Sequence, residues 1–196
     1  MINRDNIKID KNLFLTPPSH IIGVTSGLGS MGKTWLSVTL AHALNLLRES
    51  VLLFDANNGL LNTDFQLDIP YKYYLNQVIE GKVTLNQTIT PINKKKFDVI
   101  SGQSGSDLLE DVPIGRLQIL REELSLLAQN YNKVVVDLPF SEKILYNLLP
   151  LSDIILVCTS DPSNLVSTYD FIQKNVYNLS YKSLQIVINY ANSYEE

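Results

Sequence analysis

The sequence predicts an α/β protein, a mostly parallel β-sheet with helices on both faces, and three features carry that reading. Six short runs are apolar and β-branched without alternating with polar residues, the pattern of strands covered on both sides. Longer segments between them repeat apolar residues at spacings of three and four, as helices with one buried side do. Strands that alternate with helices pair in parallel, because each crossover returns the chain to the same end of the sheet.

In chain order, the strands are expected at 20–26 (HIIGVTS), 51–56 (VLLFDA), 97–101 (FDVIS), 133–139 (KVVVDLP), 153–160 (DIILVCTS) and 184–190 (LQIVINY). Each ends at polar or turn residues. A helix is expected over 33–48, with Leu36, Leu40, Leu44 and Leu47 on one face, and another over 114–128, with Ile114, Leu117, Leu120, Leu124 and Leu127 aligned. The segment PSNLVSTYDFIQKNVYN follows Asp161, and Asp161-Pro162 suits a cap and first turn. Residues 57–96 are the least regular part, with one helix expected at YYLNQVIEG and turns around it. A polar lead-in occupies residues 1–19 and ends at Pro17-Pro18; residues 20–192 read as one domain without repeat or linker.

Composition narrows the classes. The chain has 196 residues, 45% hydrophobic and 18% charged, which suits one domain with a sizeable core. A formal net charge of −4 gives no electrostatic reason to expect nucleic-acid binding, and the short cluster Lys94-Lys95-Lys96 reads as a solvated turn before a strand. The single cysteine, Cys158, excludes an internal disulfide; set in an apolar run, it reads as a buried, inert thiol. His20 and His42 read as core or surface packing residues. No run of about 18 apolar residues suggests a membrane helix. The amino terminus lacks the apolar centre of a signal peptide, so the cytoplasm is expected.

The chemistry concentrates in TSGLGSMGKTW, residues 25–35, which fits two motifs. Gly27, Gly29 and Gly32 form the dinucleotide fingerprint G-x-G-x-x-G; with Lys33 and Thr34 the same letters form the phosphate loop G-x-x-x-x-G-K-T. Both set phosphate against free backbone N–H groups at a helix start. Only a nucleoside triphosphate with Mg²⁺ also requires an ammonium group near the β/γ-phosphates and a hydroxyl on the metal, which Lys33 and Thr34 supply. The loop from Gly27 through Gly29, Ser30, Met31 and Gly32 to Lys33, Thr34 and Trp35 is therefore the expected nucleotide contact. A second element should be an apolar strand ending in a metal-ordering aspartate, and KVVVDLP provides Asp137. Asp55, ending VLLFD, is the other carboxylate at a strand end beside the loop, and Thr34, Asp55 and Asp137 are the candidate Mg²⁺ residues. Lys33 and Asp55 are the candidate catalytic groups.

With these residues in place, SGLGSMGKTWLSVTLAHAL, VLLFDANNGLLNTDFQL, VVVDLP and IILVCTSDPSNLVSTYDFI resemble the MinD/ParA class of deviant-Walker P-loop ATPases. Softer likeness at YYLNQVIEGKVTLNQTI and VISGQSGSDLL points to its branch of flagellar number regulators, FlhG or FleN. The resemblance covers about residues 20–190. It implies a MinD-like fold, ATP and Mg²⁺ as cofactors, a first switch aspartate at Asp55, a Walker B aspartate at Asp137, and an asparagine near the adenine at Asn189.

Two positions depart from the class. Its signature lysine, which reaches the partner's phosphates across a nucleotide-sandwich dimer, falls on Leu28, and its Gly-Gly becomes Gly29-Ser30. Its second switch aspartate, which positions the attacking water, falls on Asn57, a side chain that cannot accept a proton. Losing such a group slows a step by roughly 10²–10⁴-fold.

The expectation is thus an ATP-binding regulatory switch, with slow or impaired hydrolysis, that controls the placement or number of a cellular structure, flagella first. The resemblance implies regulatory protein partners, an SRP-type flagellar GTPase among them through the faintly similar RDNIKI near the amino terminus, and a nucleotide-dependent homodimer weakened by Leu28. Alternatives are a non-catalytic scaffold for protein–protein interaction and a ParA-type partition ATPase, which the acidic balance disfavours. The class also carries a basic amphipathic helix after its last strand; a chain stopping at ANSYEE either never had that helix or is truncated at the carboxyl terminus.

Overall fold

A computed structural model describes residues 20–57, 63–93, 96–102, 112–139, 141–148, 152–179 and 183–191. Among these residues seven strands form one sheet: β1 (Ile21–Ser26), β2 (Val51–Asp55), β3 (Thr90–Asn93), β4 (Phe97–Ile100), β5 (Lys133–Asp137), β6 (Asp153–Thr159) and β7 (Leu184–Asn189). Their spatial order is β3-β4-β2-β5-β1-β6-β7. Every pairing is parallel except β3 with β4. The six expected strands are all present. The seventh, β3, reads Thr-Pro-Ile-Asn and carries no apolar run; its proline is tolerated because β3 lies at the sheet edge, where a missing donor costs little.

Helices α1 (Lys33–Leu46), α2 (Thr63–Leu67), α3 (Leu75–Ile79), α4 (Ile114–Ala128), α5 (Glu142–Leu148) and α6 (Pro162–Leu179), with a 3₁₀ turn at Leu85–Thr88, cover the sheet. Alternate residues of the central strands feed two cores; β7 departs from the expectation of a doubly covered strand, because it lies at the sheet edge and leaves Ile186 54% and Ile188 45% exposed. Leu52 and Phe54 of β2, with Val134 and Val136 of β5, pack among Leu75, Leu117, Leu120, Leu124, Ile144 and Phe171 from α3 to α6. Val51, Leu53 and Val135 turn to the opposite face, where Met31 and Ala41 lie. Burial on both faces is why these strands show no polar alternation.

Three expectations about the helices are corrected or sharpened. The stripe proposed for α1 does not lie at the centre of its buried face: Leu36, Leu40 and Leu44 flank the core, while Leu47 caps the helix and is 75% exposed. The centre is instead Thr34, Ser37, Ala41 and Asn45, mostly small residues that let the helix approach the sheet closely. In α4, Leu117, Leu120, Leu124 and Leu127 are buried as expected, but Ile114 in the first turn is 57% exposed. The expected helix around YYLNQVIEG contracts to α3, whose start is fixed by Gln77 Oε1 accepting the Tyr74 N–H at 2.9 Å.

Smaller features agree with the sequence. Asp161 Oδ1 accepts the Ser163 N–H at 2.9 Å and caps α6. Cys158 is buried and free. His20 is exposed, and His42 meets the Phe97 ring edge-on. Lys96 sits in a turn at φ 59°, while Lys94 and Lys95 lie outside the described residues. Among the described residues no helix is long and apolar enough to cross a membrane.

Candidate functional site

The carboxyl ends of β1, β2, β5 and β7 converge on the turn between β1 and α1. Steric demands there are specific. Gly27 lies against α6, and a Cβ on it would come 2.5 Å from the Ser167 carbonyl oxygen. Gly32 has φ 86°, and its Cβ would meet Asn189 Nδ2 at 2.3 Å. Ser30, where the class has glycine, also adopts a left-handed conformation at φ 60°. Beyond this loop the Leu36 N–H donates to the Gly32 carbonyl at 2.9 Å and starts α1, which has no side-chain cap and no acidic residue in its first turn. The first-turn N–H groups and the helix dipole therefore suit an anion.

Lys33 and Thr34 are both buried at this helix start. Burial lowers the Lys33 pKa, and the nearby charge of Asp137 opposes that shift. Thr34 Oγ1 donates to Asp137 Oδ2 at 2.5 Å across 103 residues of sequence. The Ser26 hydroxyl donates to the Leu28 carbonyl and ties the loop entrance to β1. Asn189, at the end of β7, donates through Nδ2 to the Met31 carbonyl at 3.0 Å. That amide nitrogen is thus engaged with the phosphate loop itself. Leu28, 42% exposed, stands on the loop, and Trp35, 58% exposed, in the first turn of α1; Gly29 is open on its Cβ side.

Asp55 and Asp137 occupy paired positions on the neighbouring strands β2 and β5, and both are fully buried. Burial pushes their carboxyls up, Asp55 to about 7 and Asp137 to about 6. The Asp137 charge adds to the rise at Asp55, while the Thr34 hydrogen bond and the Lys33 charge hold Asp137 back.

The two carboxylates do different work. Asp55 anchors the chain beyond β2: its Oδ1 accepts the Asn57 N–H at 2.9 Å, and its Oδ2 accepts the Thr63 N–H at 3.0 Å and hydroxyl at 2.8 Å. Asp137 faces the loop; its buried Oδ1 makes no hydrogen bond of normal geometry among the described residues, and the nearby Ser37 hydroxyl helps to lower its carboxyl's pKa. Asn57 bridges the two: its Nδ2 donates to Thr34 Oγ1 at 2.9 Å and lies 3.4 Å from Asp137 Oδ2.

These residues fit the expected cofactors. An uncapped helix start with a buried lysine suits a polyphosphate, and a hydroxyl beside a carboxylate with one spare buried oxygen suits a hard divalent cation. Among the described residues no group of three or more His, Cys, Asp or Glu could hold a metal by itself, here or elsewhere. A separate cleft of about 350 Å³, lined by Thr84, Leu85, Asn86, Glu123 and Leu126, offers only one carboxylate. Sequence reasoning missed the Thr63 anchor, whose only trace is a helix-starting Thr-Asp pair eight residues past Asp55. It also treated Asn57 purely as a loss. Residues 58–62, which join Asn57 to Thr63, and RDNIKI lie outside the described residues.

Comparison with known proteins agrees with this geometry. A family model described as an AAA domain matches residues 19–178. The chain is 27% identical over 181 residues to the antiactivator FleN of Pseudomonas aeruginosa, covering 91% of this chain and 64% of that protein. It is 30% identical over 181 residues to the flagellum site-determining protein YlxH of Helicobacter pylori, covering 90% and 60%. The chain thus spans less than two thirds of the length of these relatives. Among solved structures, the septum site-determining protein MinD of Pyrococcus horikoshii, complexed with Mg-ADP, superposes with a TM-score of 0.74 at 21% identity, over 90% of this chain and 72% of that one.

Proposed function

Because this chain belongs to the AAA domain family of P-loop proteins, in its MinD/ParA class, we propose that it is an ATP-binding regulatory switch controlling the placement or number of a cellular structure. The FleN and YlxH relatives make the flagellum the structure of choice, and regulatory proteins, an SRP-type flagellar GTPase among the candidates, would be the partners. The cytoplasm is where such a switch would work.

The observation that carries the reading is the junction of Lys33, Thr34 and Asp137 at the uncapped start of α1. The loop amides and Lys33 would hold the phosphates. Thr34 and Asp137 would hold Mg²⁺, which shields the charge of the polyphosphate. Asp55, committed to Asn57 and Thr63, would transmit the state of the site to the segment beyond β2.

Hydrolysis is slow in this reading. Asn57 carries no base, and Leu28 no charge for a partner's phosphates, so the nucleotide-dependent homodimer is weak as well. Calorimetric titration with ATP and Mg²⁺ tests the site: saturable binding is expected, and Lys33→Ala should abolish it. Equal binding by that variant would overturn the assignment.

The second reading, a scaffold that binds partners without turnover, is favoured by the exposure of Leu28 and by the engagement of Asn57 with Thr34. Combining Leu28→Lys with Asn57→Asp separates the two. Gain of ATP-dependent dimerisation or turnover supports a degenerate switch; gain of neither supports the scaffold.

A further inference from the structure

We infer that the Asn57 side chain is a built-in competitor for the divalent cation, holding the metal position until Mg²⁺ expels it. The inference rests on the proposed nucleotide site and adds a regulatory element to it.

Three features of the geometry carry it. The Thr34 hydroxyl directs its only proton to Asp137 Oδ2, so whatever approaches Oγ1 from elsewhere must be a donor or a cation. Asn57 supplies a donor there, with Nδ2 at 2.9 Å from Thr34 Oγ1 and 3.4 Å from Asp137 Oδ2. The opposite amide orientation would set the Asn57 carbonyl against a carboxylate and the hydroxyl lone pairs, with no proton between them. The amide N–H₂, a partial positive charge, thus bridges the same two oxygens that would serve a metal. A Mg²⁺ ion stands about 2.1 Å from its oxygen ligands, and an amide nitrogen held in that bridging space blocks it.

The backbone cannot simply slide aside. The Ala56 N–H donates to the Asp137 carbonyl at 2.9 Å, and the Asn57 N–H to Asp55 Oδ1 at 2.9 Å. The Asn57 carbonyl lies 3.2 Å from where a Cβ on Gly102 would stand, so the strand end is packed on that side too. Metal entry must therefore displace the Asn57 N–H₂ from that space. An aspartate at this position would attract the cation; the asparagine N–H₂, as it stands, opposes it.

The test compares ADP affinity with Mg²⁺ and with EDTA, by calorimetry on the whole chain. In Asn57→Ala the ratio of the two affinities should exceed the wild-type ratio by about fivefold, the worth of one net hydrogen bond. Asn57→Ser, closer in size, should move it the same way. In wild-type protein the Asn57 side-chain amide resonances, identified by their loss in Asn57→Ala, should shift when Mg²⁺ is added to the ADP complex. ADP binding with an unchanged or smaller ratio in both variants overturns the inference alone. No ADP binding by wild-type protein, with or without metal, overturns the nucleotide site and the inference with it.

Discussion

Gly32 shows how a single residue can be held from two directions. Its φ of 86° costs any other residue about 1–2 kcal/mol, and the Asn189 amide fills the place of its missing side chain. Gly32→Ala should therefore destabilise the fold by more than the backbone term alone. Adding Asn189→Ala should return the excess, so a double-mutant cycle in urea ought to show coupling; additive effects would mean that the Asn189 contact is not what excludes a side chain. The paired carboxylates make a prediction of their own. Asp55 and Asp137 have folded-state values near 7 and 6, above the ordinary 3.8, so the folded chain binds protons that the unfolded chain releases. Stability from these groups is fully present below about pH 4 and is lost as pH rises through about 6 to 7. Thermal melts in EDTA should show wild-type protein gaining on Asp137→Asn as the buffer moves from pH 7.5 to 5.5. A constant difference across that range would contradict the cost of burial.

At the scale of elements, α1 shows why a leucine repeat can mislead. Spacing identifies a helix and its apolar side, yet the line of closest approach is set by the smallest residues on that side. Ala41→Leu should cost about 1–3 kcal/mol by overpacking against the sheet, whereas Leu47→Ala should stay within about 0.5 kcal/mol, both read from urea midpoints. The reverse ranking would restore the leucine stripe as the contact face. Strand β3 teaches the complementary lesson. Its Thr-Pro-Ile-Asn has no strand signature because an edge position demands little apolar surface and tolerates a missing donor. Its existence depends on β4 being there to pair with.

For the molecule as a whole, the parallel order sends the ends of β1, β2, β5 and β7 to one rim, so ligand binding there links distant parts of the chain. A ligand that binds only the folded state stabilises it by about 2.7 kcal/mol at one hundred times its dissociation constant. For a domain of this size that corresponds to a rise of roughly 5–10 °C in Tm. Saturating Mg-ATP should produce such a shift, and Lys33→Ala should lack it; equal shifts in both proteins would move the binding site elsewhere.

The sequence by itself determined the α/β class, the six main strands, the phosphate loop from Gly27 to Thr34 and the carboxylates at the ends of β2 and β5. These are written in local patterns: apolar runs, helical spacing, and glycines followed by Lys-Thr. Only the tertiary structure decided that Asp55 is spent on Asn57 and Thr63, that Asn189 grips the loop at Met31, and that Asn57 lies against Thr34. Those contacts join residues as far apart as 158 positions, and no local pattern records which side chain meets which once the sheet has brought its strand ends together.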